Sequence, residues 1–396
     1  MKKNGKIILG VCGSIAAYKT IELNRRLIDA GFDVTVVLTQ SALNFTAKLP
    51  YQIFNGKEPL LDMFSNDETC VKHVELANEA DLLIVCAATA NTIAKFHHGV
   101  ADNFLSTIYL ARKQNLKTII VPAMNTNMWN HPATVRNVQE LQKRGVDFWG
   151  PGTGKLACGE GEGRMIDVEQ ILENTLQTFH SATKKKKKMV ITAGATREYI
   201  DPIRYITNGS SGKTGIAIAN EAFQNGYDVT LIGGNIAGHI PSYINSVPVT
   251  TCNEMEEAMN RAMSDTDVLV MTAAIGDYTP VSPSNKKIKK TEENLKLEFS
   301  RNKDLVSEAR KSFPSVYIVG FSAETNNLVE NATDKMKRKG FDMVCANMVT
   351  SEENPFGSEK NQLLLIKKNG EQFDTGQLSK SELARIIVNK ISEDLA

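Results

Sequence analysis

The chain has little of what metal or disulfide chemistry would need. Six cysteines (Cys12, Cys70, Cys86, Cys158, Cys252, Cys345) are scattered over 396 residues without a Cys-x-x-Cys pair. That usage suits a reducing compartment and offers no zinc framework. Six histidines are equally dispersed, except His97-His98, whose neighbours read as a helix surface. Neither sign of charge is in excess: 46 Lys+Arg face 45 Asp+Glu, for a net charge of +1. A global pull toward nucleic acid or membrane is therefore not expected. No apolar run reaches the length of a bilayer span, and no basic, apolar leader precedes Lys6. A cytoplasmic chain without membrane or nucleic-acid partners is the expectation.

What the chain does contain is an alternation. Lys6–Val11, Val34–Leu38, Leu82–Ala87 and Thr118–Val121 read as strands, with helical patterns over Ser14–Ala30, Thr89–Phe96, Asn103–Arg112 and Pro132–Arg144 between them. Buried strands alternating with amphipathic helices predict a parallel sheet covered on both faces. After a helix over Val168–Phe179 come five consecutive lysines, Lys184–Lys188. Like charges repel, so the run reads as a solvated linker, with a nucleic-acid contact as the weaker alternative. The alternation then restarts at Met189–Thr192 and closes with a hairpin near Leu363–Asp374 and a helix over Leu378–Leu395. The predicted class is α/β, with two doubly wound, Rossmann-like domains: 1–183 flavodoxin-like, a linker at 184–188, and 189–396.

Ligands in such sheets bind beyond the carboxyl ends of the strands, and the residue types there are suggestive. Gly10-Val11-Cys12-Gly13-Ser14 joins the first strand to the first helix. Its glycines admit a phosphate to the backbone, and Ser14 can cap the helix or donate to an oxyanion. The spacing is not Gly-x-Gly-x-x-Gly, and Thr39-Gln40-Ser41 stands where an NAD site would place an acidic residue, so a mononucleotide such as FMN fits better. Ala88-Thr89-Ala90-Asn91 repeats this small, hydroxylated chemistry at a later strand exit. The most informative stretch is Pro122-Ala123-Met124-Asn125-Thr126-Asn127-Met128-Trp129. Pro122 ends a strand, Asn125 offers an amide to a carboxylate, and Met and Trp supply apolar walls. His73 directly precedes a helix, where a lone histidine is more often structural than catalytic. Cys158 falls in a glycine-rich stretch from Gly154 to Met165 that reads as a flexible lid carrying a thiol.

In the second half, Thr207-Asn208-Gly209-Ser210-Ser211-Gly212-Lys213-Thr214-Gly215 precedes a helix. It is not a P-loop, because that motif needs glycine at position 207, but it leaves a hydroxyl- and amide-rich helix N-terminus. Lys286-Lys287-Ile288-Lys289-Lys290 reads either as a solvated loop or as a site for a polyanion.

Gly13–Lys19, His73, Pro122–Trp129 and Ala157–Met165 together resemble the flavin-dependent cysteine decarboxylases. The Asn208 assembly and the lysine segment resemble their ligase partner. Nearly the whole chain is thus similar to the bifunctional phosphopantothenoylcysteine decarboxylase/phosphopantothenate–cysteine ligase family of coenzyme A biosynthesis. That resemblance implies two reactions on 4'-phosphopantothenate, cysteine and CTP. First, CTP activates the pantothenate carboxylate as an acyl-cytidylate, and the cysteine amine forms the amide. Then the cysteine carboxylate leaves as carbon dioxide, with FMN as a temporary electron sink and no net redox change. It also implies roles. His73 is the base of the oxidation step, Asn125 binds the substrate carboxylate, and Cys158 donates a proton. FMN lies among Gly13, Ser14, Thr39, Ala88, Thr89 and Asn91. Asn208 acts on the acyl-cytidylate, while Arg204, Ser210 and Ser211 hold the phosphate of 4'-phosphopantothenate. CTP meets Asp277, Lys287, Lys289, Asn302, Lys303, Asp304, Leu305, Phe321, Lys335 and Lys339, with Phe321 toward the cytosine. Mg2+ would bridge the triphosphate, although no metal motif demands it. Trimers of the first domain, dimers of the second and a dodecamer overall are implied by analogy. Where the family has Ala-Val-Ala-Asp, this chain has Ala274-Ile275-Gly276-Asp277.

Three other readings meet specific residues of this chain. A non-enzymatic FMN-binding regulatory subunit should lack Cys158 or His73, and both are present. A nucleic-acid protein using the lysine runs should carry aromatic platforms beside them, and none adjoins. An inactive ligase half is opposed by intact Asn208, Asp277 and Lys287.

Overall fold

A computed structural model describes residues 4–63, 72–157, 159–180, 187–290, 294–349, 358 and 360–396. The chain divides into two compact units, Met1–Phe179 and His180–Ala396. Cys158 and Lys184–Lys186 lie outside the described residues.

The first unit runs β1 (Lys6–Val11), α1 (Lys19–Asp29), β2 (Asp33–Leu38), α2 (Lys48–Asn55), α3 (Lys72–Glu79), β3 (Leu82–Ala88), α4 (Ala90–His98), α5 (Phe104–Ala111), β4 (Lys117–Pro122), α6 (Thr126–Trp129), α7 (Pro132–Lys143), β5 (Val146–Phe148), β6 (Gly152–Leu156), β7 (Gly159–Arg164) and α8 (Val168–His180). Strands β2-β1-β3-β4-β5 form one parallel sheet in that order. All seven residues of β3 are buried, as a central strand with helices on both faces requires. Ile8, Leu83, Val85, Ile93, Phe96 and Leu141 belong to the core packed against it, each full burial contributing roughly 1.5–3 kcal/mol. The order reverses between β1 and β3, the switch point where such sheets bind ligands.

Two expectations are corrected in this unit. The helix expected over Ser14–Ala30 opens instead as a short 3₁₀ turn, Ile15–Tyr18, before α1. The glycine-rich stretch expected as a flexible lid is a paired antiparallel hairpin, β6 with β7. Backbone pairing orders it, and its glycines serve close approach. A Cβ at Gly163 (φ +136°) would lie 2.2 Å from the Met124 carbonyl oxygen, and one at Gly161 2.6 Å from Thr126 Oγ1.

The second unit runs β8 (Lys188–Gly194), β9 (Arg197–Tyr199), β10 (Tyr205–Thr207), α9 (Lys213–Gln224), β11 (Asp228–Gly234), β12 (Asn245–Val249), α10 (Cys252–Ala262), β13 (Val268–Met271), β14 (Tyr278–Pro280), β15 (Phe299–Arg301), α11 (Leu305–Ser312), β16 (Tyr317–Glu324), α12 (Leu328–Lys339), β17 (Met343–Met348), β18 (Lys360–Lys367), β19 (Gln372–Ser379) and α13 (Lys380–Asp394). The main sheet is ordered β12-β11-β8-β13-β16-β17-β18-β19, parallel through β17 and antiparallel thereafter. Again the order reverses, between β8 and β13. Met255, Met259, Leu269, Ile318, Met336 and Val344 belong to one core of this unit. Lys188, expected as the end of a solvated linker, opens β8 instead, with its backbone N–H donating to Asp267 Oδ2 at 2.6 Å. Strand pairing with Asp228 of β11 draws it into the sheet.

Candidate active sites

In the first unit the strand exits gather the expected residues at one edge. Gly13 and Ser14 follow β1, Thr39 follows β2, Ala88 ends β3 with Thr89 and Asn91 just beyond it, and Asn125 follows β4. Thr39 binds back to this edge, its N–H and hydroxyl donating to the Val11 carbonyl at 3.0 and 3.2 Å. Thr89 caps α4 by accepting from Thr92 N–H at 3.3 Å. Ala87 adopts φ 51°, and the β3–β4 register shifts between Val85 and Ala88. A non-glycine residue in that region carries strain of about 1–2 kcal/mol, of the kind found where a strand end is shaped for a ligand.

A cavity of about 420 Å³ opens beyond the β1 and β4 exits, lined among others by Ser14, Tyr18, Asn125, Lys155, Leu156 and Arg164, while Gly13, Thr39, Ala88, Thr89 and Asn91 stand outside that lining. Asn125 Oδ1 accepts from Asn127 N–H at 2.8 Å, capping α6, so its amide N–H2 is the end left for a ligand. Met124 N–H donates to the Gly163 carbonyl at 3.0 Å, clamping the hairpin over the β4 exit. His73 is the second residue of α3, not a residue preceding a helix, and it lies outside the cavity lining. Burial pushes the Cys12 thiol up to about 11, with Thr92 opposing the shift, and raises Cys86 and Cys345 further. None of these thiols is an accessible acid–base group near neutrality.

The second unit has a larger cavity, about 510 Å³, lying over the exits of β13, β16 and β17 and the N-terminus of α9. Asn208, Ser210, Ser211, Asp277, Phe321 and Lys335 all line it. The Asn208 amide donates to the carbonyls of Ala274 and Ile275, both at 3.3 Å. That holds the loop before α9 against the β13 exit. Asn302 Nδ2 donates to the Gly276 carbonyl at 2.7 Å, and Asn302 N–H to that of Asp277 at 2.9 Å, pinning the same exit from the other side. Lys335 Nζ donates to the Phe321 carbonyl at 3.2 Å. Burial lowers the Lys335 pKa, and neighbouring Lys339 lowers it further. Lys339 bridges to Asp304 at 3.2 Å, and Lys303 to Glu256 at 2.9 Å. Burial raises the Asp304 pKa, but Ser307 and Lys339 outweigh it and leave the carboxyl below the ordinary range. Leu305 is buried as the first residue of α11, so it can present only backbone.

Arg204 and the lysine segment are linked through a buried carboxylate. Asp201 Oδ1 accepts from the backbone N–H of Ile203 and Arg204, both at 2.8 Å, and Oδ2 from that of Ile288 at 3.2 Å. Arg204 Nη1 lies 3.5 Å from Asp201 Oδ2, and its Nη2 donates to the Ile288 carbonyl at 3.3 Å. Burial alone would raise the Asp201 pKa, yet the three backbone donors hold it below the usual carboxylate value. Lys287 and Lys289 remain exposed on either side of Ile288. Sequence reasoning missed Asn347, Asn361 and Lys380, which line this cavity from β17, β18 and the start of α13. No motif marks them, and only the sheet order brings them there.

Two switch-point cavities, one among mononucleotide-type strand exits and one at a hydroxyl-rich helix N-terminus, define a two-site α/β enzyme. Residues 1–180 match the family model described as Flavoprotein, and residues 184–395 that of the DNA/pantothenate metabolism flavoprotein C-terminal domain. The coenzyme A biosynthesis bifunctional protein CoaBC of Vibrio cholerae is 39% identical over 397 residues, covering 98% of both chains. That of Escherichia coli is 40% identical over 376 residues, covering 93% of this chain and 92% of the other. A solved PPC decarboxylase, a cysteine-to-serine variant complexed with pantothenoylaminoethenethiol, is 32% identical over 46% of this chain and 100% of that one, with a TM-score of 0.41. The chain belongs to the family of bifunctional coenzyme A biosynthesis proteins. It is an enzyme with a decarboxylase half that uses FMN and a ligase half. Among the described residues no helix is long and apolar enough to cross a membrane.

Proposed function

We propose that the ligase half joins cysteine to 4'-phosphopantothenate at the cavity of the second unit, using CTP, and that the decarboxylase half acts on the product at the cavity of the first. The observation that carries this reading is the placement of Asn125. Its amide N–H2 is held by the α6 cap at the wall of a switch-point cavity beneath a clamped hairpin. An uncharged amide can orient a carboxylate that must depart without holding it by charge. FMN would be held by Gly13, Ser14, Thr39, Ala88, Thr89 and Asn91. A test of fit is that Gly13 already lies so near the β2 exit that a Cβ would meet Ser41 Cβ at 2.4 Å, drawing these loops into one cradle. When bound, FMN supplies the electron sink that carbon–carbon cleavage requires.

The chain's own groups do the rest. Met124 and Leu156 supply apolar wall to the cavity, Asn125 orients the carboxylate, His73 takes a proton, and Cys158 returns one. Because His73 stands outside the cavity lining of its own chain, we assign the complete decarboxylase site to a homo-oligomer in which a second copy supplies it. Trimers of the first domain fit that requirement, with dimers of the second and a dodecamer as the fuller assembly. In the ligase half, Asn208 holds the activated acyl group for attack by the cysteine amine. Arg204, Ser210 and Ser211 meet the phosphate of 4'-phosphopantothenate. The triphosphate of CTP falls to Asp277, Lys287, Lys289, Asn302, Lys303, Asp304, Leu305, Lys335 and Lys339, and its base to Phe321. Mg2+ commonly takes one or two carboxylates plus phosphate oxygens, and Asp277 at the cavity wall offers one. We place the work in the cytoplasm, with the first domain ending at 183 and the second opening with β8 at Lys188. The test is Cys158→Ser, which should accumulate a decarboxylated but still oxidised product. Undiminished formation of 4'-phosphopantetheine would refute the thiol's role.

A further inference from the structure

The ties that hold Asn208 in the ligase cavity return to one residue that none of the roles above uses. Thr196 links β8 to β9 and is fully buried. Each of its three polar groups joins a different part of the site. Its N–H donates to the Ala274 carbonyl at 3.3 Å, its carbonyl accepts from the Thr207 hydroxyl at 2.7 Å, and its Oγ1 accepts from Gly276 N–H at 3.0 Å. Thr207 directly precedes Asn208, and Ala274 and Ile275 supply the two carbonyls to which the Asn208 amide donates. The chain before Asn208 and the surface beneath its side chain are thus both fastened to Thr196.

The hydroxyl has the sharpest consequence. The Ile275 carbonyl and the Gly276 N–H belong to one trans peptide, whose planarity makes them point in opposite directions. Holding the N–H on Thr196 Oγ1 therefore aims the carbonyl away from Thr196 and at the Asn208 amide. Without that bond the peptide would turn easily, because glycine at 276 has no Cβ to restrict rotation. The following peptide is secured separately, since the Gly276 carbonyl accepts from Asn302 Nδ2 at 2.7 Å. Loss of the Thr196 hydroxyl would release the carbonyl beneath Asn208 and leave the Asp277 side of the loop anchored.

We propose that Thr196 is a positioning residue for amide formation. Its hydroxyl orients the Ile275–Gly276 peptide, and that peptide sets the Asn208 amide where it acts on the activated acyl group. The proposal deepens the reading of Asn208 as the residue of the second step and rests on it.

The test follows both steps in the full-length enzyme by rapid quench: pyrophosphate release from CTP with 4'-phosphopantothenate, then amide formation once cysteine is added. Thr196→Val keeps the side chain's shape and the backbone bonds but removes the acceptor. Its amide formation should slow at least about tenfold, with pyrophosphate release and the KM for CTP changed far less, so that acyl-cytidylate accumulates. Thr196→Ser, which keeps the hydroxyl, should retain amide formation. Adding Gly276→Ala to Thr196→Val should recover part of the loss, measured against Gly276→Ala alone, because the new Cβ restricts the peptide and meets no atom nearer than 3.5 Å. If Thr196→Val fails to fold, Thr196→Ala carries the same comparison. Equal slowing of both steps, unslowed amide formation, or an alanine at 276 that recovers nothing overturns the proposal. Asn208→Asp separates the two claims. Normal amide formation in that variant refutes the reading of Asn208 itself, whereas a stall there with none in Thr196→Val refutes the role of Thr196 alone.

Discussion

Gly163→Ala tests whether the glycine hairpin is a precisely seated wall or a loose cover. At Gly163 the backbone has φ +136°, and an added Cβ would stand 2.2 Å from the Met124 carbonyl oxygen. Atoms at that position do not approach below 3.0 Å, so hairpin and strand exit must part by about 1 Å, a misplacement that can cost on the order of a hundredfold in rate. Positive φ in a residue with a Cβ adds about 1–2 kcal/mol of strain, and a weakened Met124–Gly163 hydrogen bond about 1 kcal/mol more. That total of about 2–3 kcal/mol falls short of the roughly 5–15 kcal/mol that holds a domain folded, so the hairpin should shift while the unit survives. The assay is single-turnover decarboxylation of 4'-phosphopantothenoylcysteine, with ligation and flavin absorbance followed on the same sample. The rate should fall by between about tenfold and a hundredfold, with flavin retained and ligation intact. Gly159→Ala is the control, because its φ is +104° but nothing lies within 4 Å of the added Cβ. A Gly163→Ala enzyme that decarboxylates at the wild-type rate, or one no slower than Gly159→Ala, would refute the close-approach argument.

Three further outcomes follow from the ligase half. Asn208→Asp places a carboxylate against the Ala274 and Ile275 carbonyls, so pyrophosphate release should continue while amide formation stalls. Normal amide formation would remove Asn208 from the second step. Asp201→Asn keeps one acceptor for the turn at Ile203–Arg204 but loses the charge facing Ile288 N–H and Arg204, so the KM for CTP should rise about tenfold with kcat changed less. A variant with unaltered CTP kinetics would show that the lysine segment needs no such anchor. Burial depresses the Lys335 pKa below its ordinary 10.5, so the alkaline fall of ligation kcat/KM should begin at a lower pH than an ordinary lysine would give. The unfolded chain binds more protons at this site between the two pKa values, so the same group makes stability rise with pH through that window. Lys335→Arg should move the alkaline limb upward, and an unmoved limb would assign it to another group.

How much of this could be read beforehand depended on what kind of signal each part carried. Strands such as Leu82–Ala88 and Val268–Met271 are buried along their whole length, and continuous apolar runs announce that. Val146–Phe148 carries no such run: Asp147 interrupts it, and it is a strand because β4 offers an edge to pair with. The glycines of the hairpin were legible as a departure from ordinary backbone. Their purpose was not, since composition cannot tell a mobile chain from one that must pass close to Met124. Asn125 and the Ser210–Lys213 turn were visible because local sequence builds them. Asn347, Asn361 and Lys380 follow from sheet order and antiparallel return, long-range facts that no local pattern encodes. The latch at Asp201 joins Arg204 to Ile288, 84 residues apart, and was invisible for the same reason.

The central claim is that one polypeptide performs amide synthesis and then decarboxylation at two separate cavities. Incubating the purified protein with 4'-phosphopantothenate, cysteine, CTP and Mg2+, and following products by mass spectrometry over time, addresses it most directly. The account predicts 4'-phosphopantothenoylcysteine appearing first and 4'-phosphopantetheine replacing it, with CMP and pyrophosphate released. Absence of the amide, or an amide that persists with its carboxylate intact in protein carrying its flavin, would contradict it.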